Sequence, residues 1–257
     1  MLKKSIQKQY LEQHWENLET QFNNFCEEQD PEALHQFRVE TKKIHSLLKL
    51  QASKDGGRIC LKEFLPVREI FKLAGRIREA QLHVANLDAL GIRESKIKSK
   101  LLQKIDFQSM KFGLKKRWYS QVLEGGREKI KDSLVSFEGD LAESFLHQQV
   151  RFVSKNCHRV YYLGTLHDTR KAIKTLQHIR ELFPEFQMNW DYLEVIQRKI
   201  GEWHDLHRSY LYIYHKGASA QSCTLIRNAQ QEKVTEIKDL IRKFDIEIKQ
   251  MAPVAQD

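Results

Sequence analysis

From Leu2 almost to the C-terminus, apolar residues recur every three or four positions, and proline interrupts the pattern only four times in 257 residues. That period belongs to amphipathic helices; half-buried strands alternate with a period of two. In the first stretch Leu2, Ile6, Tyr10, Leu11, Trp15, Leu18, Phe22 and Phe25 share one face. Asp30-Pro31 then signals a helix start, because Asp caps the free amides and Pro has its φ preset for the first helical position. This second helix is expected to run to about Gln51, before a break at Asp55-Gly56-Gly57. Further helices are expected from Cys60 to Leu90 with Gly75 as a candidate bend, at 94–123 before a break at Gly125-Gly126, and at 139–162, 165–183, 189–215 and 220–250. The segment 127–137 is ambiguous between a short helix and none. No strand-pairing pattern emerges, so the expected fold class is all-α.

Composition narrows the setting. Lys and Arg number 43 against 34 Asp and Glu, a net charge of +9, and 41% of residues are hydrophobic. That apolar content excludes a disordered polyelectrolyte. No apolar run approaches the roughly 20 residues that span a bilayer, and the basic N-terminus lacks the apolar stretch of an export signal. A cytoplasmic protein with no membrane partner is expected. Cys26, Cys60, Cys157 and Cys223 form no Cys-x-x-Cys pair, so they signal neither a zinc ribbon nor a disulfide framework.

Two segments 132 residues apart match. His35-x-x-Arg38-x-x-x-Lys42 is repeated as His167-x-x-Arg170-x-x-x-Lys174. Each is followed by a companion element, Gly75-Arg-Ile-Arg78-Glu79 and then Gly201-Glu-Trp-His204-Asp205. The order is the same in both halves of the chain, about 1–124 and 127–250. An internal duplication giving two pseudo-symmetric four-helix bundles is the simplest architecture.

The first motif is the start of a cationic row. At about 100° per residue, His35, Arg38, Lys42, His45 and Lys49 fall within roughly an 80° arc about 21 Å long. Phe37, Val39, Ile44, Leu47, Leu48 and Leu50 fill the opposite side. In the second copy His167, Arg170, Lys171, Lys174 and His178 oppose Ile173, Leu176, Ile179, Leu182 and Phe183. An ordinary exposed face intersperses acids, because like charges three or four residues apart repel; here that face reads as acid-free. Arg offers a planar fork to phosphate oxygens, Lys a point charge, and His a contact that depends on pH. A linear row suits a repeating anion. It carries neither stacking aromatics nor the Asn, Gln and Arg set of a base reader.

His-x-x-Arg-x-x-x-Lys on an amphipathic helix, twice per chain, with a Gly-x-x-(Arg/His)-(Asp/Glu) element after each copy, resembles the CHAD family (conserved histidine α-helical domain). The resemblance covers nearly the whole chain. It implies a helical domain of two pseudo-symmetric four-helix halves whose basic faces line a shared groove or channel that binds inorganic polyphosphate, without catalysis. It also implies association with polyphosphate granules. Carried over by position, His35, Arg38, Lys42 and Lys43 match the first motif, and His167, Arg170 and Lys174 the second. His45, Lys49, Arg78, Lys155, Lys171 and His178 complete the expected polyphosphate-binding set. The chain departs from the family where a second base at +8 is replaced by Thr175, where an Arg at +10 is replaced by His45 and Gln177, and where Arg78-Glu79 stands for Arg-Asp. It lacks the Glu-x-Glu-x-Lys motif of a fused triphosphate-tunnel domain.

Other clusters are weaker. Arg151, Lys155, His158 and Arg159 form a further basic row, and residues 91–132 hold twelve Lys and Arg against five acids. Lys111, Lys115, Lys116 and Arg117 within that segment read as an extension of the anion track or as solubilising charge. His204 and His207 share a helix face, but no further metal ligands accompany them, so no metal or cofactor is expected. Asp205 and Glu79 are expected to orient neighbouring cations, and Trp203 and Phe71 to be core. No nucleophile elbow or phosphate-cradling glycine loop is present, which leaves no support for an enzyme. Nucleic-acid backbone binding through the same stripes is the alternative function. Arg38 and Arg170 lie off the apolar face, so replacing both with Glu is expected to abolish polyphosphate binding without unfolding the protein.

Overall fold

The computed structural model describes residues 2–54, 56–137, 139–157 and 163–248. The elements in chain order are α1 (Lys4–Glu28), α2 (Pro31–Gln51), α3 (Ile59–Glu63), α4 (Leu65–Ala89), α5 (Ser95–Leu114), α6 (Lys116–Ser133), α7 (Gly139–Cys157), α8 (Leu163–Ile179), a 3-10 turn (Arg180–Leu182), α9 (Trp190–His215), α10 (Ala220–Arg242) and α11 (Phe244–Glu247). The protein is all-α. Among the described residues the only β feature is one isolated bridge between Leu2 and Phe137.

The helix boundaries follow local chemistry. Asp30 accepts from the amides of Glu32 and Ala33, each at 3.0 Å, with Pro31 behind it at the first helical position. Asn189 caps α9 through Tyr192 N at 3.0 Å, and Ser219 caps α10 through Ser222 N at 3.2 Å. The expected break at Gly125-Gly126 does not occur, because both glycines lie inside α6. A Cβ on Gly126 would come within 3.1 Å of Val67 and 3.5 Å of the Trp15 ring, so this glycine permits close packing and ends nothing. The expected single helix from Cys60 to Leu90 divides into α3 and α4 at Phe64, and the one at 94–123 divides at Lys115. The expected end of the 139–162 helix and the tail 251–257 lie outside the described residues.

The chain divides into two compact units. Unit 1 comprises residues 1–84 and 98–145. There α1 packs along α2 and against α6. Trp15, Leu18, Phe22 and Phe25 of α1 meet Leu34, Phe37, Ile44 and Leu48 of α2 in a core with exposures of 0–1%. Phe22, Phe112 and Tyr119 close it with ring centroids 5.0–6.3 Å apart. The ambiguous segment 127–137 resolves into the end of α6 and an extended stretch. Gln51 accepts from Val135 N and donates to Val135 O, both at 3.0 Å, and Gln7 donates to the same carbonyl at 3.1 Å. Buried glutamines thus satisfy backbone that no helix or sheet pairs.

Unit 2 comprises residues 85–97 and 146–257. Its described core joins Val153 and Cys157 of α7, Ile173 of α8, Leu193, Ile196, Ile200 and Trp203 of α9, and Ile237 and Ile241 of α10. The link between α4 and α5 is fastened here: Glu94 accepts from Ser219 N and Ser222 Oγ at 2.8 Å, and Asn86 donates to Ser209 Oγ at 2.9 Å. Cys60 and Cys157 are buried and Cys26 and Cys223 half-buried, all as thiols. No described helix is long and apolar enough to cross a membrane.

Candidate functional site

In unit 1 the first motif lies on α2 and its companion on α4. The Arg38 guanidinium stacks over the Phe71 ring, 4.1 Å from its centroid, and Nη1 donates to Phe71 O at 2.7 Å. It lies so close to α4 that a Cβ on Gly75 would meet Nη1 at 2.7 Å. Burial and the neighbouring Arg78 push the Arg38 pKa down to about 10, with Glu79 partly offsetting them, so it stays cationic at neutral pH. Lys42 Nζ lies 5.8 Å from the same Phe71 ring.

Unit 2 repeats the carbonyl bond and the close approach to glycine, without the aromatic platform. Arg170 Nε donates to Gln197 O at 3.3 Å, and a Cβ on Gly201 would meet Nη2 at 2.8 Å and Nε at 3.0 Å. Phe71 and Gln197 each precede their glycine by four residues, so both arginines reach the carbonyl one turn before a glycine. Only a residue without a Cβ leaves room for the guanidinium there. This is the physical content of the aligned small-residue positions in the two companion elements. Burial lowers the Arg170 pKa, with Asp205 opposing. Lys174 is pushed down to about 8 by burial and by Arg170, again against Asp205.

The histidines play separate parts. His45 stacks on Phe64 with centroids 5.8 Å apart and planes 11° from parallel; burial, Lys49 and Arg68 push its pKa to about 4. It is therefore neutral at pH 7, and this position of the row carries no charge. His167 stacks on His204 of α9 at 4.8 Å, and burial, then Lys171 and His204, lowers its pKa. Its Nδ1 is buried with no hydrogen-bond partner. His207 stacks on Trp203 at 5.5 Å, and its Nδ1 is 3.1 Å from Gln230 Nε2. Among the described residues no group of three or more His, Cys, Asp or Glu is arranged to hold a metal.

The α8 face is not acid-free, whereas on α2 the acid lies opposite the row: Glu40, buried on the core side, takes Lys43 Nζ at 2.8 Å and His14 Nδ1 at 2.6 Å. Burial opposes its charge, but those hydrogen bonds outweigh it and hold Glu40 below the usual carboxylate range. Lys171 is 3.1 Å from Asp168, an exposed pair. The Lys171 contact links residues three apart, on the flank of the row, where helical-wheel arithmetic on the cations alone overlooks it. Arg38 and Arg170 are also more enclosed than a position off the apolar face suggests. Their replacement by Glu would place a carboxylate against a backbone carbonyl, so those substitutions disturb the fold as well as the charge.

The remaining predicted residues distribute as follows. His35, Lys42, Lys49 and His178 are half-buried along α2 and α8, and Lys155 is exposed on α7. Arg78 donates to Gln81 Oε1 at 3.5 Å. His158 and Arg159 lie outside the described residues. Trp203 is core at 2% exposure, whereas Phe71, also expected in the core, is half-buried and serves as the platform for Arg38. No residue-type signal marks Phe71, since its counterpart is Gln197; only the register to the glycine does.

The solved structure of the CHAD domain from the plant Ricinus communis superposes with a TM-score of 0.73 at 15% identity, covering 97% of this chain and 94% of that one. A comparison with curated proteins found no match. The family model for the CHAD domain matches residues 9–209, spanning both motifs and both companion glycines. The chain belongs to the CHAD domain family.

Proposed function

We propose that this protein binds inorganic polyphosphate through the cationic faces of α2 and α8 as a cytoplasmic module associated with polyphosphate granules, and that binding, not catalysis, is its task. The observation that carries the reading is the duplicated placement of arginine. In each unit one guanidinium is fixed against a companion helix while lysines continue the row, at Lys42 and Lys49 in one and Lys171 and Lys174 in the other. Fixed forks and flanking point charges suit a chain whose every unit is a phosphate. The acids near these groups, Glu79 and Asp205, raise the pKa values of Arg38, Arg170 and Lys174 and so favour their charged forms.

The test uses lysines, because the arginines also support the fold. The variant Lys42→Glu, Lys49→Glu, Lys155→Glu, Lys171→Glu is expected to keep its helical circular dichroism and lose retention on long-chain polyphosphate. For the unmodified protein, about eight phosphate contacts at roughly 0.7 each give log K against log salt a slope of about −5 to −6. Unchanged binding by the folded variant refutes the choice of faces. Displacement of polyphosphate by RNA or DNA at equal phosphate concentration replaces the reading with nucleic-acid backbone binding.

A further inference from the structure

In unit 1, on the helices that follow the companion element, four bulky apolar side chains stand in solvent: Phe107 at 48% exposure, Met110 at 50%, Leu114 at 79% and Trp118 at 57%. Their spacing of three, four and four residues places the first three on one face of α5 and continues the row into α6. Buried neighbours Leu101, Ser109, Phe112 and Tyr119 occupy the core side, so this ridge is separate from the packing of the bundle. Neither polyphosphate nor any other simple anion makes use of such a row.

Its surroundings are strongly basic. Residues 98–118 contain seven Lys and Arg and one acid, Asp106. Lys111 holds its ammonium 4.2 Å from the centroid of the Phe107 ring, and Lys115 and Arg117 are exposed beside Leu114 and Trp118. Whatever meets the apolar ridge also meets these charges. A second copy of this chain is the wrong occupant, because it would set two such basic collars against each other. The side chains project, half to four-fifths exposed, where a docking helix would need a groove to enter. Projecting Trp, Phe, Leu and Met within a lysine collar match the boundary between acyl chains and anionic headgroups.

We propose that the ridge Phe107–Met110–Leu114–Trp118 is a docking surface for an anionic lipid bilayer, held at its surface and not spanning it. The expectation of no membrane partner rests on the lack of a spanning segment, and a surface contact needs none. The proposal is independent of the faces on α2 and α8.

The test is co-sedimentation of the full chain with vesicles of equimolar phosphatidylcholine and phosphatidylglycerol, and with phosphatidylcholine alone. Binding to the anionic vesicles only is expected, with a blue shift of tryptophan emission that Trp118→Phe removes; of the other three tryptophans, Trp15 and Trp203 are buried at 0% and 2% exposure and Trp190 is half-buried. Leu114→Asp, at the most exposed position, is expected to reduce binding at least tenfold while leaving polyphosphate retention and thermal stability unchanged. Lys111→Glu with Lys115→Glu is expected to reduce vesicle binding likewise. The lysine variant of α2, α7 and α8 is expected to bind vesicles normally, which separates failure of this proposal from failure of the polyphosphate reading. No binding to anionic vesicles, or equal binding by Leu114→Asp, overturns the proposal. Binding to polyglutamate but not vesicles, abolished by Leu114→Asp, reassigns the ridge to an acidic polypeptide.

Discussion

The contact between Arg38 and Gly75 predicts a substitution whose effect changes sign with its background. Gly75 lies in the interior of α4, where replacing glycine by alanine ordinarily stabilises a helix by about 0.5–1 kcal/mol. Here the new Cβ would come within 2.7 Å of Arg38 Nη1, and the guanidinium must leave. Its hydrogen bond to Phe71 O at 2.7 Å goes with it, and hydrogen bonds to charged groups contribute about 1.5–3 kcal/mol. Gly75→Ala alone is therefore expected to destabilise by roughly 1–2 kcal/mol. In an Arg38→Ala background the space is vacant and the bond already gone, so the same substitution should stabilise by about 0.5–1 kcal/mol. Urea unfolding of the four proteins in the cycle, followed by circular dichroism, measures a coupling of ~1.5–3 kcal/mol. Gly201 with Arg170 should behave alike, given 2.8 Å to Nη2. If Gly75→Ala has the same sign and size in both backgrounds, the glycine is not there for the arginine and the reasoning fails.

Removing Glu40 leaves the buried His14 without its carboxylate partner, so Glu40→Ala should cost ~3 kcal/mol. Because the Glu40 pKa is depressed in the folded state, its contribution is present above the unfolded value of 4.5 and lost as pH falls through the folded one; an acid titration of unfolding should lose this component in the variant. Lys174, with a pKa of about 8, loses its charge as pH rises through that value. Polyphosphate affinity should accordingly fall between about pH 7 and 9, and Lys174→Arg should flatten the decline. Between about 8 and 10.5 the unfolded chain holds a proton the folded chain has released, so this residue's contribution to stability increases with pH over that window. An affinity independent of pH in the unmodified protein counts against a role for Lys174.

The helices and the repeated motif were legible because both depend on spacing within one element. Three- and four-residue periodicity placed α1, α2 and α9, and Asp30-Pro31 placed a helix start to the residue. What spacing does not carry is a contact between elements. Gly126 reads locally as a breaker, and only the nearness of Trp15 shows why an α-helix tolerates it. His45 reads as a cation by its place on the wheel, and only its burial, with Lys49 and Arg68 nearby, shows that it is neutral. Phe71 reads as core until Arg38 is seen lying over its ring. The acid Asp168 falls outside the stripe on a helical wheel, yet the Lys171 side chain reaches it.

Fixing Arg38 and Arg170 also alters what a ligand must overcome. A free arginine side chain carries about 2 kcal/mol of rotamer entropy. Folding has already removed much of that freedom from these two, since each is bonded to a carbonyl and wedged over a glycine. An arriving polyanion therefore meets charges that need little further ordering, and its affinity is set by fit and by ion release more than by the stiffening of the protein.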